Sequence, residues 1–304
     1  MSTLPGAARV VVIGAGIVGN SLAYHLARLG WRDIVQFEKG PLPNPGGSTG
    51  HASNFIFLTD HSREMTNLTL DSVLQYKEMG VFTQSGGIEV ARTPERMEEL
   101  KRRMASSRSW GIDAELVTPA QVKAMVPYVD TDIILGGFST PGIGVVDSLR
   151  AGTIMRERAQ AMGALTLAPM TEVVGIDVVD GHVTQVRTDR GDFEADIVVV
   201  ACGIWSPRIA AMAGAAIPLT PAVHQMISVG PVPLFEDTVG EIKYPIVRDM
   251  DKHVRAPARR RPGGRLIRAP GDPGGSRRHP LDRRIGAFAD RAAVHPGGLR
   301  TPDG

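Results

Sequence analysis

A chain of 304 residues, 42% hydrophobic and 22% charged, can bury one large core or two moderate ones, which sets aside collagenous, low-complexity and wholly disordered classes. A single cysteine, Cys202, excludes an internal disulfide framework and any multi-cysteine metal centre, and no metal site is expected. The formal charge of +2 conceals an uneven distribution: residues 255–304 hold 12 Arg, no Lys and 4 Asp, so that segment carries +8 and residues 1–254 carry −6.

The first forty residues read as strand, turn, helix, strand. Apolar RVVVIG is followed by AGIVGNSLAYHLARLG, with apolar residues at helical spacing, and then by DIVQFEKG. GAGIVG, Gly14 to Gly19, thus follows a strand and opens a helix, the context a dinucleotide fingerprint requires. Gly14 permits a tight turn, Gly16 lets the backbone approach a pyrophosphate, and Gly19 lets helix and strand pack closely. The helix N-terminus supplies unpaired N–H groups and a partial positive charge for phosphates, with Ile17 and Val18 among the expected cofactor-binding positions. A carboxylate about 20 residues further on is expected at the ribose hydroxyls, and Glu38 stands there. Its charge disfavours a cofactor with a 2′-phosphate, leaving NAD or FAD, which spacing alone does not separate.

Next comes GGSTGHASN, residues 46–54, too glycine-rich for a strand or a helix yet carrying His51. DHSREMTNLTLDSVLQYKEMG has helical periodicity, and Thr93-Pro94 and Thr118-Pro119 are helix start signals. GGIEVAR and DIILGGFSTPG read as strands. An amphipathic helix runs from Asp147 to Gly163, with RERAQ (156–160), like RR at 102–103, expected on solvated faces. Turn signals at Asp180-Gly181 and Arg190-Gly191-Asp192 divide the following β-branched runs into an antiparallel meander. Its last strand, ADIVVVACG, is apolar throughout, as a central strand covered on both faces would be. Cys202 reads as a small buried packing residue, and His25, His61 and His182 are explained by helix-face and turn positions. From about Val254 Arg, Pro and Gly dominate, Phe288 is the only aromatic residue, and no period persists. Such a segment buries too little to offset a chain entropy of ~1–2 kcal/mol per residue, so residues 255–304 are expected to be disordered. No secretory signal or membrane-length apolar run is evident, which places the chain in the cytoplasm and off the membrane.

VVVIGAGIVGNSLAYHLARLGWRDIVQFEKGPLPNPGGSTGHASN resembles the FAD-binding start of the glycine and D-amino-acid oxidase superfamily, most closely its dimethylglycine oxidase, dimethylglycine dehydrogenase and sarcosine dehydrogenase branch. Further similar segments are GGIEVA, WGIDAELVTPAQVKAMVP, ILGGFSTPGIGVVD, DIVVVACGIWS and PLTPAVHQM, ending near residue 250. The resemblance implies an α/β fold. A Rossmann-like FAD-binding domain with an antiparallel β-meander would span 1–85 and 145–215, and a truncated α+β substrate domain on an antiparallel sheet would span 86–144 and 216–254. It implies flavin contacts from Lys39, Ser48, Thr49, Val173, Ala201, Gly203 and Trp205, beside the fingerprint residues and Glu38. His51 would bond covalently to the flavin ring edge, its glycine neighbours allowing the approach.

The resemblance also puts His224, in PAVHQM, on the substrate side, where a neutral imidazole would bind or deprotonate the amine. The implied reaction is hydride transfer to FAD from the carbon next to nitrogen in dimethylglycine, sarcosine or a similar small amine. Oxygen or an electron-transfer protein would take the electrons, and folate the one-carbon unit only if a further module is present. The Arg or Lys that would meet a substrate carboxylate is not identifiable. Rival readings are a D-amino-acid or glycine oxidase with non-covalent FAD, and an inactive truncated fragment with a basic tail. The tail lacks helical or aromatic patterning, so no designed nucleic-acid binding is expected. Its abrupt start suggests a shift of reading frame near residue 254.

Overall fold

β-branched apolar runs form β1 (Ala7–Ile13) and β2 (Ile34–Glu38) around the amphipathic helix α1 (Ile17–Arg28). The computed structural model describes residues 6–222, 233–236, 242–251 and 254–256. The chain divides into one compact unit of Met1–His224 with Pro231–Pro262 and another of Gln225–Gly230 with Gly263–Gly304; the second lies outside the described residues. So do His224 and residues 257–304, on which the substrate-side histidine and most of the expected disordered segment fall.

Beyond β2 the chain makes α2 (Ser48–His51), β3 (Phe55–Ile56), α3 (Arg63–Glu78), β4 (Phe82–Gln84), β5 (Gly87–Ala91) and α4 (Pro94–Ser109). It continues through β6 (Glu115–Val117), α5 (Pro119–Met125), β7 (Gly136–Thr140), β8 (Gly144–Val146), α6 (Ser148–Ala161) and β9 (Leu165–Pro169). The meander β10 (Val173–Val179), β11 (His182–Thr188) and β12 (Gly191–Val200) follows, then α7 (Ser206–Ala210), β13 (Ile246–Asp249) and β14 (Val254–Ala256). The helix starts are where side-chain oxygens can take an orphan N–H. Ser62, Thr93 and Asp147 accept from Met65, Arg96 and Arg150, and Thr118 forms a capping box with Gln121. Each cap stabilises its helix by about 1 kcal/mol.

Three sheets result among the described residues. The largest has the order β10-β11-β12-β1-β2-β9, parallel from β12 to β9 and antiparallel through the meander. Val11, Ile13, Val35 and Phe37 pack on one of its faces against the meander's Val186 and Phe193. Val10, Val12 and Ile34 pack on the other against Ala23 and Ala27 of α1 and Ala159 of α6. The second sheet, β14-β13-β5-β7-β6, is antiparallel except that β13 runs parallel to β5, so it is mixed rather than purely antiparallel. A small antiparallel sheet, β3-β8-β4, was not legible in the sequence. No helix among the described residues is long and apolar enough to cross a membrane.

Several expectations need correction. Residues 48–51 do form one helical turn, closed by Ala52 N–H donating to Ser48 O at 2.8 Å. β12 lies inside the sheet as expected, yet Ile197 is 42% exposed and Val198 to Val200 only half-buried, because α1 and α6 cover β1, β2 and β9 and their cover thins towards β12. Arg103 is not on a solvated face: it pairs with the buried Glu89 carboxylate at 2.7 Å and donates to Thr59 O. Arg156 is 7% exposed, and burial lowers its pKa. Arg255 and Ala256, assigned to the disordered segment, pair in β14 with Arg248 and Val247.

Candidate functional site

The ends of β1 and β12 converge on the fingerprint turn. Ala201 N–H donates to Ile13 O at 2.8 Å, and the backbone crosses so closely that a Cβ on Gly14 would stand 2.5 Å from Ala201 O. Gly14 has φ +108°, which a side chain would strain. At Gly19 a Cβ would stand 2.0 Å from Gly14 O, so α1 can seat against the turn only because that position is bare. These contacts place the mouth of α1 directly over the strand ends. The first turn of α1 carries no acidic residue, leaving the partial positive charge of the helix N-terminus, about half a unit, free to act on an anion.

Glu38, at the end of β2, accepts from Ala15 N–H and Gly40 N–H, both at 2.8 Å, which fixes its carboxylate beside the turn. Thr49, in α2, accepts from Ile17 N–H at 3.0 Å, and its own carbonyl takes the Ser148 hydroxyl at 2.7 Å. The single helical turn of α2 is thereby fastened both to the mouth of α1 and to the start of α6. Ser48 and His51, on that same turn, are exposed. Nδ1 of His51 lies 3.0 Å from Gly47 O. A carbonyl only accepts, so Nδ1 carries a proton, and in the neutral ring Nε2 is then the nitrogen with the lone pair. Trp205 rests on Gly47, its ring carbon 3.7 Å from where a Cβ would be, and Gly203 lies exposed at φ +53° just after β12.

The structure therefore gathers Gly14, Gly16, Ile17, Gly19, Glu38, Thr49 and Ala201 at one helix mouth, with His51 on the turn fastened to it. Val18 is also in the first turn of α1, 67% exposed. Lys39 points to a salt bridge with Glu172 at 2.5 Å. Val173 is buried in the core beneath the sheet, two residues from Thr171, whose N–H donates to Glu38 O. Burial, and secondarily the Glu38 charge, push the Cys202 thiol up to about 11; it stays protonated at neutral pH and donates to Ile13 O. Two contributors were missed in the sequence: Gln36 and Asn20, whose side-chain amides donate to Gly14 O and Ala15 O. The signal available was a glutamine in the otherwise apolar run IVQFE.

The donor set fits a dinucleotide. Glycines leave room where any side chain would block the turn, N–H groups converge at a helix end, and a fixed carboxylate stands at the tip of the second strand. No cluster among the described residues could hold a metal ion.

Residues 9–295 match the family described as DAO, FAD dependent oxidoreductase, a range reaching past residue 250, where the resemblance was expected to stop. The chain is 30% identical over 251 residues to mitochondrial dimethylglycine dehydrogenase of Rattus norvegicus, covering 80% of this chain and 29% of that protein. It is 30% identical over 268 residues to mitochondrial sarcosine dehydrogenase of Homo sapiens, covering 83% and 28%. The crystal structure of L-proline dehydrogenase from P. horikoshii superposes with a TM-score of 0.70 at 26% identity, over 83% of this chain and 67% of that one. The chain thus spans under a third of the length of these two dehydrogenase relatives.

Proposed function

Because the chain belongs to the DAO family of FAD-dependent oxidoreductases, we propose that it oxidises the C–N bond of an N-methylated glycine, dimethylglycine or sarcosine, or of a similar small amine. The observation that carries this reading is the coupling of two features: a glycine-lined helix mouth with Glu38 beside it, and an imidazole with a free Nε2 on the turn that Thr49 fastens to that mouth. The similarity to dimethylglycine and sarcosine dehydrogenases supports the substrate class.

FAD, if bound here, would supply the hydride acceptor for the carbon next to the amine nitrogen, and water would hydrolyse the oxidised substrate to the demethylated amine and an aldehyde. The backbone N–H groups at Gly16 and Val18 would meet its diphosphate, with Ile17 N–H held by Thr49, and Glu38 would meet its ribose hydroxyls. His51 would hold the flavin at its ring-edge methyl group, Nε2 replacing a hydrogen there with the two electrons passing through the flavin to oxygen, and the Nδ1–H bond to Gly47 O would set the ring's orientation. Ser48, Ala201, Gly203 and Trp205 line the flavin side. His224, outside the described residues, accepts the amine proton so that the nitrogen lone pair is free. The electrons pass on to oxygen or to an electron-transfer protein, and folate is engaged only where a further module supplies its site. A chain with one thiol needs no oxidising compartment, and we place the reaction in the cytoplasm.

The test is a spectrum of purified protein before and after acid precipitation, with His51→Ala alongside. A flavin spectrum that stays with the pellet in the wild type and leaves it in the variant is the expected result. Colour that washes out of both points instead to non-covalent FAD, as in the glycine and D-amino-acid oxidase reading. Colourless protein that takes up no added flavin ends the assignment.

A further inference from the structure

The fingerprint turn is held from behind by two buried amide side chains. Gln36 Nε2 donates to Gly14 O at 3.0 Å and Asn20 Nδ2 to Ala15 O at 2.9 Å. Gln36 is fully buried in the middle of β2, and Asn20 is 3% exposed. Carbonyls only accept, so each amide must turn its nitrogen to the turn. Its oxygen, Oε1 or Oδ1, is then buried with no hydrogen-bond partner among the described residues. An orphaned acceptor costs stability, and an apolar side chain of the same size would avoid that cost. A position chosen for packing alone would be apolar; departures of this kind concentrate at functional sites.

What these amides accomplish follows from peptide planarity. In a trans peptide the C=O and N–H lie in one plane and point in opposite directions, so holding the oxygen aims the hydrogen. The Gly14–Ala15 peptide has its oxygen on Gln36 and its N–H on Glu38. The Ala15–Gly16 peptide has its oxygen on Asn20, so planarity directs the Gly16 N–H to the side opposite Asn20, while the neighbouring Ile17 N–H is held by Thr49 Oγ1. We propose that Gln36 and Asn20 are positioning residues for the cofactor: Gln36 locks the peptide whose N–H holds the Glu38 carboxylate for the ribose, and Asn20 locks the next peptide, whose N–H, at Gly16, is directed to the diphosphate before the ligand arrives. This rests on the reading of the mouth as the FAD diphosphate site.

The experiment uses the full chain freed of flavin, titrated with ADP by calorimetry and with adenosine by ligand-observed NMR. Gln36→Met removes both the donor and the orphaned acceptor at similar volume. It should weaken ADP about fivefold, the equivalent of one neutral hydrogen bond. Adenosine, whose ribose Glu38 would meet, should weaken by a similar factor, and the melting temperature of the flavin-free chain should hold or rise. Asn20→Ala, a second route should Gln36→Met fail to fold, should weaken ADP but spare adenosine, because the peptide it frees carries the Gly16 N–H. A purely structural role predicts that both ligands weaken together as melting falls; that result, or unchanged ADP affinity in either folded variant, overturns the proposal. Wild-type protein that takes up no ADP would overturn the site reading itself, and is seen before any substitution is made.

Discussion

Gly19→Ala probes the seat of α1 on the turn. The new Cβ would stand 2.0 Å from Gly14 O and 3.1 Å from Gln36 Nε2. An unstrained carbon–oxygen contact is about 3.3 Å, so roughly 1.3 Å must open between helix and strand. The obstacle is backbone, which has no rotamer to move aside. Overpacking of this kind costs about 1–3 kcal/mol, and at about 2–4 °C per kcal/mol the melting temperature should fall by several degrees. Function should suffer more, because binding groups tolerate about 0.5 Å of displacement and a shift near 1 Å is worth about a hundredfold. Titration of flavin-free protein with FAD, followed by quenching of flavin fluorescence, should show at least that loss. Gly30→Ala is the control: Gly30 has φ +90° with nothing within 4 Å of its added Cβ, so it should cost about 1 kcal/mol of backbone strain and leave FAD affinity intact. Gly19→Ala protein that binds FAD within threefold of the wild type would refute the reasoning.

Two further substitutions address the surroundings. Glu89, 1% exposed, faces Arg103 at 2.7 Å, so Glu89→Gln removes the carboxylate from a buried pair and should destabilise by about 3–5 kcal/mol in urea unfolding; a loss under 1 kcal/mol would show the pair to be incidental. The Cys202 thiol, raised from 9.0 to about 11 by burial, keeps its proton in the folded chain at pH values where the unfolded chain loses it. Its contribution to stability is full below about pH 9 and is lost as pH rises to about 11. The difference in urea midpoint between wild type and Cys202→Ala should therefore narrow across that window, the subtraction removing Tyr128, which is raised to about 12 in the same direction. A difference that is flat from pH 8 to 11 would contradict it.

The β1–α1–β2 unit was legible because its signals are local: a change of apolar period from two to 3.6 across a glycine motif. Thr93, Thr118 and Asp147 marked helix starts for the same reason, and Asp180-Gly181, both at positive φ, marked the first meander turn. What escaped was decided between distant segments. Strands of two or three residues such as β3 and β8 have no periodicity to read, and the parallel pairing of β13 with β5 joins Ile246 to Gly87. Arg103 looked like part of a solvated charge run because its partner, Glu89, lies on another element. Gln36 was not singled out because nothing nearby in the sequence says that Gly14 O needs a donor. Whether the Arg/Pro/Gly-rich text after residue 254 is out of frame is a question for the coding DNA. Retranslation in the other two frames should restore family sequence there, and its absence from both would reject the frame shift.

The seam between β1 and β12 has a consequence for biosynthesis. Ile13 receives the amide of Ala201 and the thiol of Cys202, a partner 189 residues downstream. A ribosome adding about 5–20 residues per second needs on the order of ten seconds or more to deliver that partner. The nascent amino terminus must wait through that interval with one flank of its first strand unsealed, so a helper that shields exposed strands should raise the yield of correctly assembled chain more than surplus riboflavin in the medium.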